Sequence, residues 1–207
     1  MAAISHTPLE EQLSQLTLRE RKKLRTRVTI RRATYRLITE QGYEATTVEQ
    51  IAEASEVSPS TVFRYFPTKE DIVLTNAYDP AIAASLRARP AGESPLDSLR
   101  AVITEALERS VTHEPEELTE RTRLLVRVPA VRARMTETMS VTAKLLADVL
   151  AERTGRDADD LDLRIFVAAV LSALREVTLH WGEHGCQGDP VALIHRALDR
   201  LEGGLRL

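Results

Sequence analysis

Two helix starts lie eleven residues apart in the first third of this chain, and they leave little room for anything but a tight helical pair. At Thr47-Val-Glu-Gln50 a threonine can accept from the backbone three residues on, while the glutamine reaches back to the cap. At Ser58-Pro59 a serine cap is followed by proline in the first helical position. Ser55-Glu56-Val57 breaks the chain between them, and Pro67 ends the second helix at Phe66. Val48, Ile51 and Ala52 form the inner stripe of the first helix, with Val62 and Phe66 facing them from the second and Val57 plugging the turn. Two short helices set at a defined angle by such a core make a helix-turn-helix.

The rest of the chain carries the same helical period. A helix is predicted from Leu18 to Gln41 with Gly42 as its left-handed C-cap, and another opens at Thr68, with Asp71 in its first turn, and runs to Tyr78 before Asp79-Pro80. After the linker at residues 89–95, the apolar spacing predicts helices over Leu96–Val111, Glu116–Val128, Ala130–Thr154, Asp160–His184 and Pro190–Leu201. No stretch alternates as a strand would. The expected fold is all-α with about nine helices: a flexible arm at 1–18, a three-helix DNA-binding head at 19–72, and a ligand-binding and dimerisation domain at 73–207.

Charge separates these regions. The 207 residues sum to −3, yet the window from Arg19 to Arg36 holds nine cations against Glu20 alone, and residues 73–207 are net acidic. A basic end beside a helix-turn-helix points to a polyanionic partner. Within the pair, Pro59, Ser60, Thr61, Arg64 and Tyr65 face outward, and the guanidinium fork of Arg64 suits the two acceptors of a guanine edge. Thr46, Thr47, Ser58, Tyr65 and Lys69 are candidates for phosphate oxygens. Arg25, Arg27 and Arg31 are expected to lie across the backbone and supply affinity by counterion release.

The run GYEATTVEQIAEASEVSPSTVFRYFPTKEDIV, Gly42 to Val73, resembles the DNA-binding domain of the TetR family of bacterial regulators. Gly42, Tyr43, Thr46, Thr47, Val48, Ile51, Ala52, Val57, Ser58, Thr61, Tyr65, Phe66, Lys69 and Glu70 fall in register with that pattern. Three positions depart from it: Glu56 stands where glycine is usual, Ser55 where alanine is, and Phe63 where a tyrosine is common. A left-handed backbone at Glu56 would be strained, and Phe63 has no hydroxyl to offer a phosphate. The resemblance implies a homodimer on a pseudo-palindromic operator, joined by the last two helices of each subunit, and a repressor released by a small molecule. The densely apolar Asp160–His184 segment agrees with a helix covered on both sides. The stretch Arg123-Leu-Leu-Val-Arg-Val-Pro129-Ala-Val-Arg132-Ala-Arg134 is similar to an actinobacterial subset of the family, some members of which respond to acyl-coenzyme A-like ligands.

For the effector, the middle helices are expected to enclose a pocket among Leu124, Val128, Met135, Met139, Phe166 and Val170, with Arg123, Arg127 and Arg175 placed to receive an anion. Met-rich apolar stripes also serve as plain core, and such arginines as surface ion pairs. His180, His184 and Cys186 form the one cluster with metal-ligand character, though histidines at a helix end equally complement its dipole. Two alternatives therefore stand beside the ligand-released repressor: a metal or redox sensor built on those three residues, and a helical ligand-binding module with no DNA role. No phosphate loop, nucleophile elbow or carboxylate pair suggests an enzyme, and no cofactor is implied. The single cysteine cannot form an internal disulfide, the chain does not open like a signal peptide, and no apolar run reaches membrane-spanning length. The cytoplasm is the expected compartment.

Overall fold

A computed structural model describes residues 17–74 and 79–205, and these form ten helices and no strand. Helix α1 (Leu18–Gln41) opens on a capping box in which Thr17 accepts from the Glu20 amide and Glu20 returns the bond. Of the expected arm, only Thr17 and Leu18 lie among the described residues, and they belong to this helix start. Helix α1 ends where the Gly42 N–H donates to Ile38 O, but the glycine takes φ 87° and ψ 162°, which is not the left-handed helical cap expected there. Helices α2 (Val48–Ala54) and α3 (Pro59–Tyr65) carry the predicted caps at Thr47 and Ser58. Helix α4 (Lys69–Leu74) follows; the end expected for it, residues 75–78, lies outside the described residues.

A helix that the sequence does not announce, α5 (Asp79–Ala88), begins at the Asp-Pro pair expected to kink or end the helix before it. Proline is tolerated in a first turn, where its missing N–H has no partner to lose. The same chemistry shifts three later boundaries by one residue. Helices α6 (Pro95–His113), α7 (Pro115–Arg127) and α8 (Pro129–Thr154) each start on their proline. Helix α8 ends at Gly155 in the left-handed conformation. Asp160 caps α9 (Leu161–Glu183) and Asp189 caps α10 (Pro190–Glu202).

Three apolar clusters organise these elements. Ile30, Ile51, Ala52, Val62, Phe66 and Ile72 close the amino-terminal helices on one another. The largest cluster joins α5, α6, α8, α9 and α10 around Leu86, Leu99, Val149, Leu150, Val167, Val170 and Leu198. Between them, Tyr35, Ile38, Tyr43 and Val73 pack on Leu124, Leu125 and Val131. Ile72 and Val73, adjacent in α4, thus face different clusters, and the Tyr35 hydroxyl donates to Val73 O at 2.9 Å. Helix α4 is wedged between the head and the body.

Candidate nucleic-acid interface

The turn between α2 and α3 is built from backbone bonds around a left-handed residue. Glu56 takes φ 55°, its N–H donating to Glu53 O and that of Val57 to Ala52 O, both at 3.0 Å. Ser55 is buried and its hydroxyl returns to Ile51 O, so the serine that replaces alanine satisfies itself. Ser58 Oγ accepts from the Thr61 amide at 3.2 Å and lies 2.9 Å from both Ser60 Oγ and Thr61 Oγ1. Val62 and Phe66 are buried, which turns Pro59, Ser60, Phe63 and Arg64 out to solvent, with Thr61 and Tyr65 half-buried at the edge. The Arg64 guanidinium sits 5.5 Å over the Tyr65 ring, with Nη2 3.4 Å from Thr61 Oγ1.

Burial in α1 begins only at Val28, so its first turns stand clear of the core. Arg19, Lys22, Lys23, Thr26 and Arg27 line one wall of a cleft of about 740 Å³ whose other wall is Val57, Thr61, Arg64 and Tyr65. Among the described residues no acidic side chain lines it. Arg27 lies with its guanidinium 5.1 Å over the Phe66 ring, and Arg25 is exposed but off the cleft. Arg19, Lys22 and Lys23 were missed as site residues. Their signal was the helical spacing 19, 22, 23, 26, 27, which puts them on one face.

Three residues expected at phosphates have their polar groups engaged within the protein instead. Arg31 is buried against α7, where Glu117 and Glu114 take its guanidinium. Thr46 is 1% exposed, and its hydroxyl donates to Gly42 O at 2.8 Å. The Lys69 ammonium donates to Tyr43 O and Thr46 O at 2.8 and 2.9 Å and sits 3.9 Å over the Tyr43 ring, so it staples the 42–46 loop to α4. Thr47 is exposed, its hydroxyl accepting from the Gln50 amide.

Comparison with known proteins agrees with this geometry. Residues 30–75 match the family described as bacterial regulatory proteins, tetR family, and residues 93–206 match the MftR C-terminal domain of the same group. The HTH-type transcriptional regulator TcmR of Streptomyces glaucescens is 40% identical over 172 residues, covering 79% of this chain and 76% of its own. The chain belongs to the TetR family. The HTH-type transcriptional repressor KstR of Rhodococcus jostii is 27% identical over 79% of this chain and 73% of its own. The crystal structure of Thermus thermophilus FadR, a TetR-family repressor in complex with lauroyl-CoA, superposes with a TM-score of 0.55 and 26% identity, covering 87% of this chain and 95% of that one. As a TetR-family member the protein is a DNA-binding transcriptional regulator that acts as a homodimer and answers to a small molecule. No helix among the described residues is long and apolar enough to cross a membrane.

In this TetR-family body, the expected effector residues divide. Met135, Met139 and Arg175 line a cavity of about 300 Å³ together with Leu74, Leu125, Leu171, Leu174, three threonines (138, 142, 178) and Arg121. Leu124 and Val128 instead pack in the junction cluster, and Val170 and Phe166 in the body core, because their helix faces are turned to those contacts. Arg123 and Arg127 are exposed, and Arg123 pairs with Glu120 at 3.7 Å. Arg121, one turn before Leu125 on the inner face of α7, was missed. Arg132 donates to Leu125 O at 3.1 Å, bracing the α7–α8 elbow, and Arg134 forks onto Asp71 of α4 at 2.8 and 3.1 Å. Of the arginines in the 123–134 stretch, Arg132 and Arg134 are therefore structural.

Of the metal candidates, the His180 and His184 rings lie 4.1 Å apart, but the three residues do not form one ligand set. His184 Nδ1 is 2.7 Å from His180 O, the Cys186 thiol points to Thr119 O at 3.8 Å, and no group of three ligating residues forms among the described residues. Burial raises the Cys186 thiol above its ordinary value, the reverse of what a reactive thiolate needs. Trp181, beside these residues in α9, is buried within the protomer.

Proposed function

We propose that residues 19–72 are the operator-reading head and residues 73–207 the effector-binding and dimerisation body of a cytoplasmic repressor without enzymatic activity. One observation carries the reading: the outward face of α3 continues without interruption into the cationic cleft of α1, which no acidic side chain lines among the described residues. A helix of this width enters the major groove, and a row of cations beside it meets the flanking phosphates. Ser58, Pro59, Ser60, Thr61, Arg64 and Tyr65 stand at the groove, with Thr47 at its edge, and Arg19, Lys22, Lys23 and Arg27 on the backbone. Arg25 stands farther out.

Helix α9 leaves Leu161 and Ile165 68% and 57% exposed, an apolar stripe suited to the same stripe of a second subunit. The cavity beneath α4 holds Arg121 and Arg175, and among the described residues no carboxylate lines it and Arg175 has no ion-pair partner, while the charge of Arg121 also reaches Glu117. An anionic effector with an apolar tail fits that lining, and the lauroyl-CoA bound by the Thermus thermophilus repressor makes an acyl thioester the first compound to try. Leu74 at the end of α4, together with Leu125 and Met135, belongs both to the cavity wall and to the junction cluster, so occupancy would bear directly on the helix that carries the head.

The test is fluorescence anisotropy on a duplex selected from random sequence by the full-length protein. Selection of a near-palindrome and its release by lauroyl-CoA are expected, with Arg175→Ala needing at least tenfold more ligand. Failure to select any sequence overturns the head assignment; indifference to acyl thioesters overturns that ligand class alone.

A further inference from the structure

Helix α3 presents one large apolar side chain to solvent, and its position within the face sets it apart. Phe63 is 50% exposed. Single exposed apolar residues are ordinary on protein surfaces and need no function. Here, however, the outward face of α3 divides in two. Thr61, Arg64 and Tyr65 lean on one another and line the cationic cleft with α1. Pro59, Ser60 and Phe63 lie on the other half, outside that cleft, one helical turn apart. Val62 and Phe66 occupy the inward stripe, so the ring of Phe63 has no place in the core.

A benzyl ring offers no hydrogen bond to a phosphate or a base edge. The major groove carries one apolar group, the 5-methyl of thymine. We infer that Phe63 is a specificity residue that reads a thymine methyl in each operator half-site, with the Ser58–Ser60 hydroxyls supplying the polar contacts beside it. This rests on the operator-reading role of α3 proposed above. It also assigns the discrimination of A·T from G·C at that step to apolar contact, leaving Arg64 to the cleft side of the face.

Deoxyuridine differs from thymidine at this edge by that methyl alone, so the test replaces each thymine of the in-vitro selected operator, one at a time, with uracil. Full-length protein is measured as wild type, Phe63→Ala and Phe63→Leu, with the far-ultraviolet spectrum and melting curve of each variant recorded. Burying one methyl is worth about fourfold in affinity. At one thymine per half-site the wild type is expected to lose about that factor, Phe63→Ala to bind the thymine operator more weakly and lose nothing further on uracil, and Phe63→Leu to keep part of the sensitivity. An unchanged uracil penalty in Phe63→Ala, or no uracil position that costs the wild type more than twofold, overturns the inference while leaving operator binding intact. Failure of the wild type to select an operator overturns both together.

Discussion

Arg31 of α1 donates to Glu117 of α7 from two nitrogens, Nε at 3.3 Å and Nη2 at 2.8 Å, and the pair is 5% and 16% exposed. Nη2 also meets Glu114 at 3.0 Å. Burial alone would lower the arginine's pKa, but the two carboxylates outweigh it and hold the cation charged. The helix that carries the basic cleft is thereby tied to the body, as α4 is by Arg134 and Asp71.

Removing one partner of such a pair leaves the other buried and uncompensated, which costs about 3–5 kcal/mol. Arg31→Met is expected to lose about that much in urea unfolding, and adding Glu117→Leu to recover at least half of it. Because Arg31 does not face DNA, the salt dependence of operator binding should match wild type in whatever fraction remains folded. A flattened salt dependence would return Arg31 to the phosphate contacts.

Glu56 sits at φ 55°, where a non-glycine residue is disfavoured by roughly 1–2 kcal/mol. Glycine relieves that strain but loosens the unfolded chain by about 0.5–1 kcal/mol. Glu56→Gly should therefore gain up to about 1 kcal/mol, seen as a rise of at most about 2–4 °C in melting temperature. Glu56→Val, β-branched, should lose stability, and Glu56→Asn should fall between.

Gly182 marks where α9 crosses α7. A Cβ there would stand 2.7 Å from Val126 Cγ2, 2.8 Å from Thr122 Cγ2 and 3.2 Å from Thr122 O. Both methyls belong to β-branched side chains with little rotamer freedom, and the third neighbour is backbone. Gly182→Ala is expected to cost about 1–3 kcal/mol by overpacking, measured as a lower denaturation midpoint. A neutral result would mean the helices separate freely at this crossing.

What could be read from the sequence was what local chemistry dictates. The caps at Thr47 and Ser58 and the strained turn at Glu56 all follow from neighbours within a few residues. Arg31 was misread because its partners lie 83 and 86 positions away, and no periodicity announces them. Lys69 was misread because its acceptors are backbone carbonyls, which leave no mark in a sequence. The face of Arg19, Lys22 and Lys23 was legible in principle, but a helix start with cations on nearly every side hid which side met α3.

The Glu93 carboxylate is held at about 2 by its bonds to Arg89 and Ser98, against an ordinary value of 4.5. A depressed carboxylate contributes stability that is full above its unfolded value and lost as pH falls through its folded one. The contribution is therefore present above about pH 4.5 and disappears toward pH 2. Glu93→Gln should show a smaller drop in unfolding midpoint than wild type between pH 5 and pH 3, the two curves converging as the acid limit is approached.

The cationic cleft makes the most direct demand on experiment. Each phosphate neutralised by a protein cation contributes a slope of about −0.9 to log K against log salt. Lys22 and Lys23 both line the cleft, so replacing the two with alanine should flatten that slope by about two per subunit of the dimer while leaving the ranking of operator variants unchanged, since phosphates carry no base information. Arg25→Ala, one turn away but off the cleft, should flatten it by less than one per subunit. Arg64→Ala should instead disturb the ranking among operators as well as the slope, because its guanidinium lies between the cleft and the recognition face. Equal effects from Arg25 and from the two lysines would mean that α1 approaches DNA with its outer face, and the head would then have to turn against α7, straining the Arg31–Glu117 pair that now holds it.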